Sequence, residues 1–138
     1  EAKVFDLLAA LLEWNDLTLS APTAASISAK DQEAMQSLKH FLLQNYSTKV
    51  DLQRLAQMCY MSKSKLTYLF RMLYGTTIYE FILACRIDRA KELLADREKK
   101  LSEIAALVGY ERQSSFSAAF HQKTGVTPNE FRRQFWNK

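Results

Sequence analysis

Slid along itself by 50 residues, the sequence repeats: Phe70 falls on Phe120, Gly75 on Gly125, Thr77 on Thr127, Glu80 on Glu130 and Phe81 on Phe131. Upstream the match continues at a shift of 49, pairing Leu52 with Leu101, Leu55 with Ile104, Ala56 with Ala105, Met58 with Leu107 and Cys59 with Val108. The second copy therefore holds one extra residue, between Tyr60 and Leu66 in the first copy's numbering. A repeat of this length is one supersecondary unit used twice. An insertion confined to a turn is what such a unit tolerates.

The repeated positions have physical jobs. Gly75 and Gly125 sit where a helix must end in a left-handed conformation, which only Gly adopts cheaply. Thr77 and Thr127 can cap the next helix, and Glu80 and Glu130, three residues on, can complete a capping box. Pro128 takes the first helical position, where its missing N–H costs nothing. Val126 can staple against Phe131 across that cap.

The hydrophobic period is helical nearly everywhere else. Val4, Leu7, Leu8, Leu11 and Leu12 predict a helix over 1–14, and the run Ser20-Ala-Pro-Thr-Ala-Ala-Ser26 marks 15–28 as a linker. Ser28-Ala-Lys-Asp31 resembles a capping box and opens a helix that ends near Tyr46. Further helices are expected at about 51–59, 62–74, 77–95, 102–108, 112–124 and 128–135. No segment alternates with period two, and three Gly and two Pro are too few for a β-sandwich. The fold class is all-α: two helix–turn–helix units at about 51–75 and 101–125, joined by a long linker helix at about 77–95, within a domain spanning 29–138.

Charge is distributed unevenly. The net charge is +4 over the chain, but residues 1–34 carry −4 and residues 35–138 carry +8. A basic domain joined to an acidic segment points to a polyanion partner, and a merely solvated basic surface explains the charge equally well.

The helices ending at Gly75 and Gly125 separate those readings. In 62–74, Leu66, Leu69, Phe70 and Leu73 bury one stripe, leaving Lys63, Ser64, Lys65, Thr67, Tyr68 and Arg71 outside with no acidic residue. In 112–124, Phe116, Ala119 and Phe120 face inward, leaving Arg112, Gln113, Ser114, Ser117, Ala118, His121 and Lys123 outside or at the margin. Basic side chains for phosphates and hydrogen-bonding side chains for base edges are what a helix entering the DNA major groove requires. One such helix could be an ordinary amphipathic surface helix. Two copies with matched acid-free faces favour DNA.

With these residues in place, the stretch from about Leu38 to Arg133 resembles the DNA-binding domain of the AraC/XylS family of bacterial transcription regulators. The second unit carries the pattern Ile104-Ala105, Val108-Gly109-Tyr110, Ser115-Phe116, Phe120, Lys123, Gly125, Thr127-Pro128 and Phe131-Arg132. The first matches through Leu55-Ala56, Met61-Ser62, Leu66, Leu69-Phe70 and Gly75, and Arg86, Ala90, Leu93 and Leu94 fit the linker helix. The resemblance implies seven helices, with two recognition helices entering successive major grooves of double-stranded DNA. It implies base-reading positions at Ser64, Thr67 and Tyr68, with Lys65 nearby, and at Gln113, Ser114, Ser117 and Ala118. Ala118 departs from the long polar side chain of several relatives and offers thymine only a methyl contact. His121 stands where Lys is usual, which weakens a phosphate grip at neutral pH. Residues 1–14 resemble the helix that closes the family's sensor domain and often helps it dimerise, and an amphipathic helix covering its own domain fits them nearly as well. The larger effector-binding sensor is expected to lie outside this chain. RNA polymerase and a homodimer through that missing N-terminal domain are the further partners implied.

Other chemistry finds little support. Two Cys cannot form a disulfide framework or a four-Cys zinc site, which points to a reducing, cytoplasmic compartment, and Cys59 and Cys85 fall on core faces. No metal or cofactor is expected, and no catalytic constellation of Ser, His and carboxylates suggests an enzyme. Trp14 and Trp136 read as packing residues. No membrane span or signal peptide is apparent. The competing function is a basic helical module that binds a protein partner.

Overall fold

The computed structural model describes residues 27–137, and within them the fold is seven helices and no strand. They are α1 (Ala29–Asn45), α2 (Leu52–Met58), α3 (Lys63–Tyr74), α4 (Ile78–Leu94), α5 (Leu101–Leu107), α6 (Gln113–Thr124) and α7 (Pro128–Trp136). The helix expected over 1–14, with Trp14, and most of the linker at 15–28 lie outside the described residues. The chain divides into two compact units, one of residues up to 44 with 50–81, the other of 45–49 with 82 onward.

In the first unit the core is built from Met35, Leu38 and Leu42 of α1, Leu55 and Ala56 of α2, and Leu66, Leu69 and Phe70 of α3, all buried. Each large side chain removed from water in this way contributes about 1.5–3 kcal/mol. Leu73, expected in the α3 stripe, is only partly buried, whereas Met72 is fully so. The buried arc of α3 is thus wider than a simple i, i+3, i+4, i+7 stripe.

The second unit packs Ile87, Ala90 and Leu94 of α4 with Ile104, Ala105 and Val108, and with Phe116 and Phe120 of α6. Val126 and Phe131, the two sides of the expected staple, both pack against this cluster. The repeat extends to ring geometry. Phe70 meets Phe81 at 5.6 Å and 75°, and Phe120 meets Phe131 at 5.6 Å and 74°, both edge-on.

The caps follow the sequence closely. Thr77 accepts from the Glu80 N–H at 3.1 Å while Glu80 accepts from the Thr77 N–H at 3.0 Å. Thr127 and Glu130 repeat this box at 3.1 and 2.9 Å. Gly75 and Gly125 end their helices at φ 73° and 85°, their N–H groups donating to Arg71 and His121 carbonyls. α5 starts one residue earlier than expected, because Lys100 occupies the cap and its N–H donates to Glu103 at 3.3 Å. Ser28 caps α1 by accepting from the Asp31 N–H at 3.1 Å.

Two guanidinium groups, both in the second unit, tie down irregular backbone. Arg86 donates to the carbonyls of Tyr46 at 2.7 Å and Thr48 at 3.1 Å. Arg132 donates to those of Leu94, Asp96 and Lys99 at 3.1, 3.2 and 2.7 Å, fixing the segment that enters α5. Trp136, expected to pack, is instead exposed at the end of α7, edge-on to Phe135 and beneath the Arg97 guanidinium.

Candidate nucleic-acid interface

Each unit delivers an outward helix by the same local construction. After α2 the N–H groups of Tyr60 and Met61 return to the carbonyls of Gln57 and Ala56, both at 3.1 Å. After α5 those of Gly109 and Tyr110 return to Ala106 at 3.2 Å and Ala105 at 2.8 Å. This double closure requires a left-handed residue just past the helix end. Gly109 supplies it at φ 107°, and Tyr60 supplies it at φ 55°. The extra residue of the second copy falls in this turn, where Tyr110, Glu111 and Arg112 lead into α6 while only Met61 and Ser62 lead into α3.

The two helices then start differently. Ser62 caps α3 by accepting from the Lys65 N–H at 3.1 Å. Arg112 is the cap residue of α6, one position earlier than helix, and its side chain makes no capping bond.

Around α3, Lys63, Ser64, Lys65 and Arg71 are exposed, while Thr67 and Tyr68 are half-buried. The Thr67 hydroxyl donates to the Lys63 carbonyl at 2.7 Å, which fixes its rotamer and leaves its oxygen able to accept. Around α6, Arg112, Gln113, Ser114, Ala118, His121 and Lys123 are exposed and Ser117 is half-buried. Of the residues expected to read bases, Ser64, Gln113, Ser114 and Ala118 are thus open to solvent, and Thr67, Tyr68 and Ser117 lie at the margin of the buried face.

One feature was not legible in the sequence. The face of α3 is free of acid along its own helix, yet the Asp31 carboxylate of α1 lies 3.2 Å from Lys65 Nζ. A groove of ≈ 640 Å³ opens there, lined by Asp31 together with Ser64, Lys65 and Tyr68. Sequence spacing carries no signal for this pair, because its partners start different helices.

Farther along, Glu80 and Glu130 are held below the usual carboxylate range. The backbone N–H and then the hydroxyl of Thr77 and Thr127 stabilise the ionised form, and Arg71 adds to this at Glu80. At Glu130 the smaller charge contributions come from Arg133 and His121. Cys59 and Cys85 are free and half-buried rather than fully in the core. Burial raises both thiols above their ordinary range, with Asp88 adding to it at Cys85, so both stay protonated at neutral pH. Among the described residues no three His, Cys, Asp or Glu side chains group to hold a metal, and no helix is long and apolar enough to cross a membrane.

A short helix, a tight turn and an outward helix with a polar and basic face, built twice, define a pair of helix–turn–helix units. The family model described as a helix-turn-helix domain matches residues 55–134. The chain is 32% identical over 119 residues to a probable transcriptional regulator, LumQ, of Photobacterium leiognathi, covering 83% of this chain and 48% of that protein. It is 31% identical over 103 residues to the bifunctional transcriptional activator/DNA repair enzyme AdaA of Bacillus subtilis, covering 75% and 49%. Among solved structures it is similar to the C-terminal domain of AraT, a response regulator from Geobacillus stearothermophilus. There the TM-score is 0.67 with 30% identity, over 78% of this chain and 86% of that one. The chain belongs to the AraC/XylS family of helix–turn–helix regulators. It spans about half the length of the curated relatives it matches.

Proposed function

We propose that this chain is the DNA-binding part of a transcription regulator, and that α3 and α6 each enter a major groove. The observation that carries the reading is the doubled construction: two helices with buried apolar stripes and outward polar and basic faces, presented by the same turn. The relatives' names as transcriptional regulators and activators support it.

In this reading Ser64, Thr67 and Tyr68 meet base edges in the first unit, as do Gln113, Ser114 and Ser117 in the second. Lys63, Lys65, Arg71, Arg112, His121 and Lys123 supply positive or hydrogen-bonding contacts to phosphates, which position the helices and carry no sequence information themselves. Because the two faces differ in nearly every residue, they favour an asymmetric site over a palindrome. Residues 1–14 and 15–28 serve as the end of a preceding domain and its linker. A homodimer formed outside this chain and a contact with RNA polymerase go with the role, as does a cytoplasmic location beside the chromosome. No catalytic role is assigned: AdaA's repair activity is a property of that longer protein.

Selection from random duplexes, followed by gel shift at moderate salt, tests the reading. Enrichment of one asymmetric motif is the expected result. Binding that disappears with salt and selects no motif overturns it and favours the protein-interaction module.

A further inference from the structure

A lysine on a DNA-reading helix is ordinarily a flexible point charge that any phosphate can take. Lys65 is not free in this way. Its Nζ is held 3.2 Å from Asp31 Oδ2, with the two side chains 50% and 22% exposed. Asp31 is itself placed by the start of α1, where its N–H donates to the Ser28 hydroxyl at 3.1 Å. The carboxylate faces the groove that Ser64, Lys65 and Tyr68 share. Nothing equivalent is built into the repeat: the position matching Lys65 in the second unit is Ser115, exposed and uncharged.

We propose that Asp31 is a specificity-determining residue of the first reading helix, restraining Lys65 so that its charge is withheld from arbitrary phosphates. The inference rests on the DNA-binding reading above. Its physics is a competition. In sequence-independent binding a phosphate must displace the carboxylate from Lys65 and also approach a negative charge, which weakens the complex. An exposed pair of this kind is weak enough to be given up, or to be used as it stands, where a target site offers the rest of the interface. The pair also keeps a long side chain in one orientation, so less freedom is lost on forming a specific contact.

The test uses the chain with mixed-sequence duplex DNA, comparing wild type, Asp31→Asn, Lys65→Ala and the double variant between about 50 and 200 mM salt. Asn keeps the size and helix-start position of Asp, and Asp31→Ser is a second variant should Asn disturb the fold. Asp31→Asn is expected to bind about threefold more tightly at the low-salt end and to steepen the log–log salt slope by about one ion. Lys65→Ala is expected to weaken binding by itself and to cancel that gain, so that the double variant binds about as the wild type does. Asp31 variants that bind as wild type does across the range overturn the proposal, as does a gain from Asp31→Asn that is equally large with and without Lys65. The cycle needs no selected site. A chain that fails to select a motif therefore refutes the reading under Proposed function, and these four constants are still scored by themselves.

Discussion

Tyr60 occupies in the first turn the left-handed position that Gly109 occupies in the second, at φ 55° against 107°. The two residues do the same backbone work in different surroundings. Tyr60 is 95% exposed, so its side chain has room and only its backbone is strained. A Cβ at Gly109 would meet the Ser47 carbonyl oxygen at 2.7 Å, the Ser47 Cα at 2.9 Å and Arg86 Cζ at 3.0 Å.

Tyr60→Gly is therefore expected to stabilise the chain, by a few tenths to about 1 kcal/mol, since release of left-handed strain exceeds the added freedom of the unfolded chain. Thermal melting checks this. A lower melting temperature in the Gly variant would show that the exposed ring contributes more than its backbone costs.

Gly109→Ala and Gly125→Ala should separate crowding from backbone strain. Both positions have positive φ, but a Cβ at Gly125 meets nothing within 4 Å. Gly125→Ala is expected to cost about 1 kcal/mol and Gly109→Ala about 2–4 kcal/mol, the difference being the clash with Ser47 backbone. Denaturant melts that give equal costs would contradict this account.

The capping carboxylates give the acid limb of stability a sign. Glu80 and Glu130 are held ionised by the N–H and hydroxyl of Thr77 and Thr127, so their folded pKa values lie below the unfolded ones. Their contribution is complete above about pH 4.3, the unfolded carboxyl value, and is lost as pH falls through the depressed folded values. Replacing both with Gln is expected to flatten the fall in melting temperature between neutral and acid pH. An acid limb as steep as that of the wild type would rule these two carboxylates out as its source.

Arg132 holds three backbone carbonyls with one guanidinium. Arg132→Met is expected to cost about 2 kcal/mol, because charge-assisted bonds to a partly buried segment are lost together. Lys should rescue only part of this, having no planar fork to reach carbonyls on different sides. Full rescue by Arg132→Lys in a melting experiment would argue that charge alone matters there.

Reading and positioning are expected to separate at α6. Gln113 stands exposed at the first position of the helix, and Lys123 is exposed near its end. Gln113→Ala is expected to cost about 1–3 kcal/mol on the preferred site and little where the contacted base is changed. Lys123→Ala should weaken all sites about equally and lower the salt slope by about one ion. A panel of single-base variants decides it: uniform loss with Gln113→Ala would mean that side chain does not read a base.

The sequence by itself determined the seven helices, the caps at Ser28, Thr77 and Thr127, the glycine ends at Gly75 and Gly125, and the pairing into two like units. Those features depend on spacings of three, four and seven residues, and on Gly, Thr and Glu at fixed offsets, as at Gly75-Thr76-Thr77 and Glu80. It also marked which side of α3 and α6 stays outside, because Phe70, Phe116 and Phe120 had to be covered. Tertiary structure alone decided the rest. Whether Lys65 meets only water or also a carboxylate depends on where the start of α1 lies beside α3. Gly109 is needed for space as well as for φ only because the backbone at Ser47 passes against it, and Arg86 and Arg132 find their carbonyls 33 to 40 residues away. Local periodicity reports what a residue does for its own helix; it is blind to which charge, carbonyl or backbone the fold brings up against it.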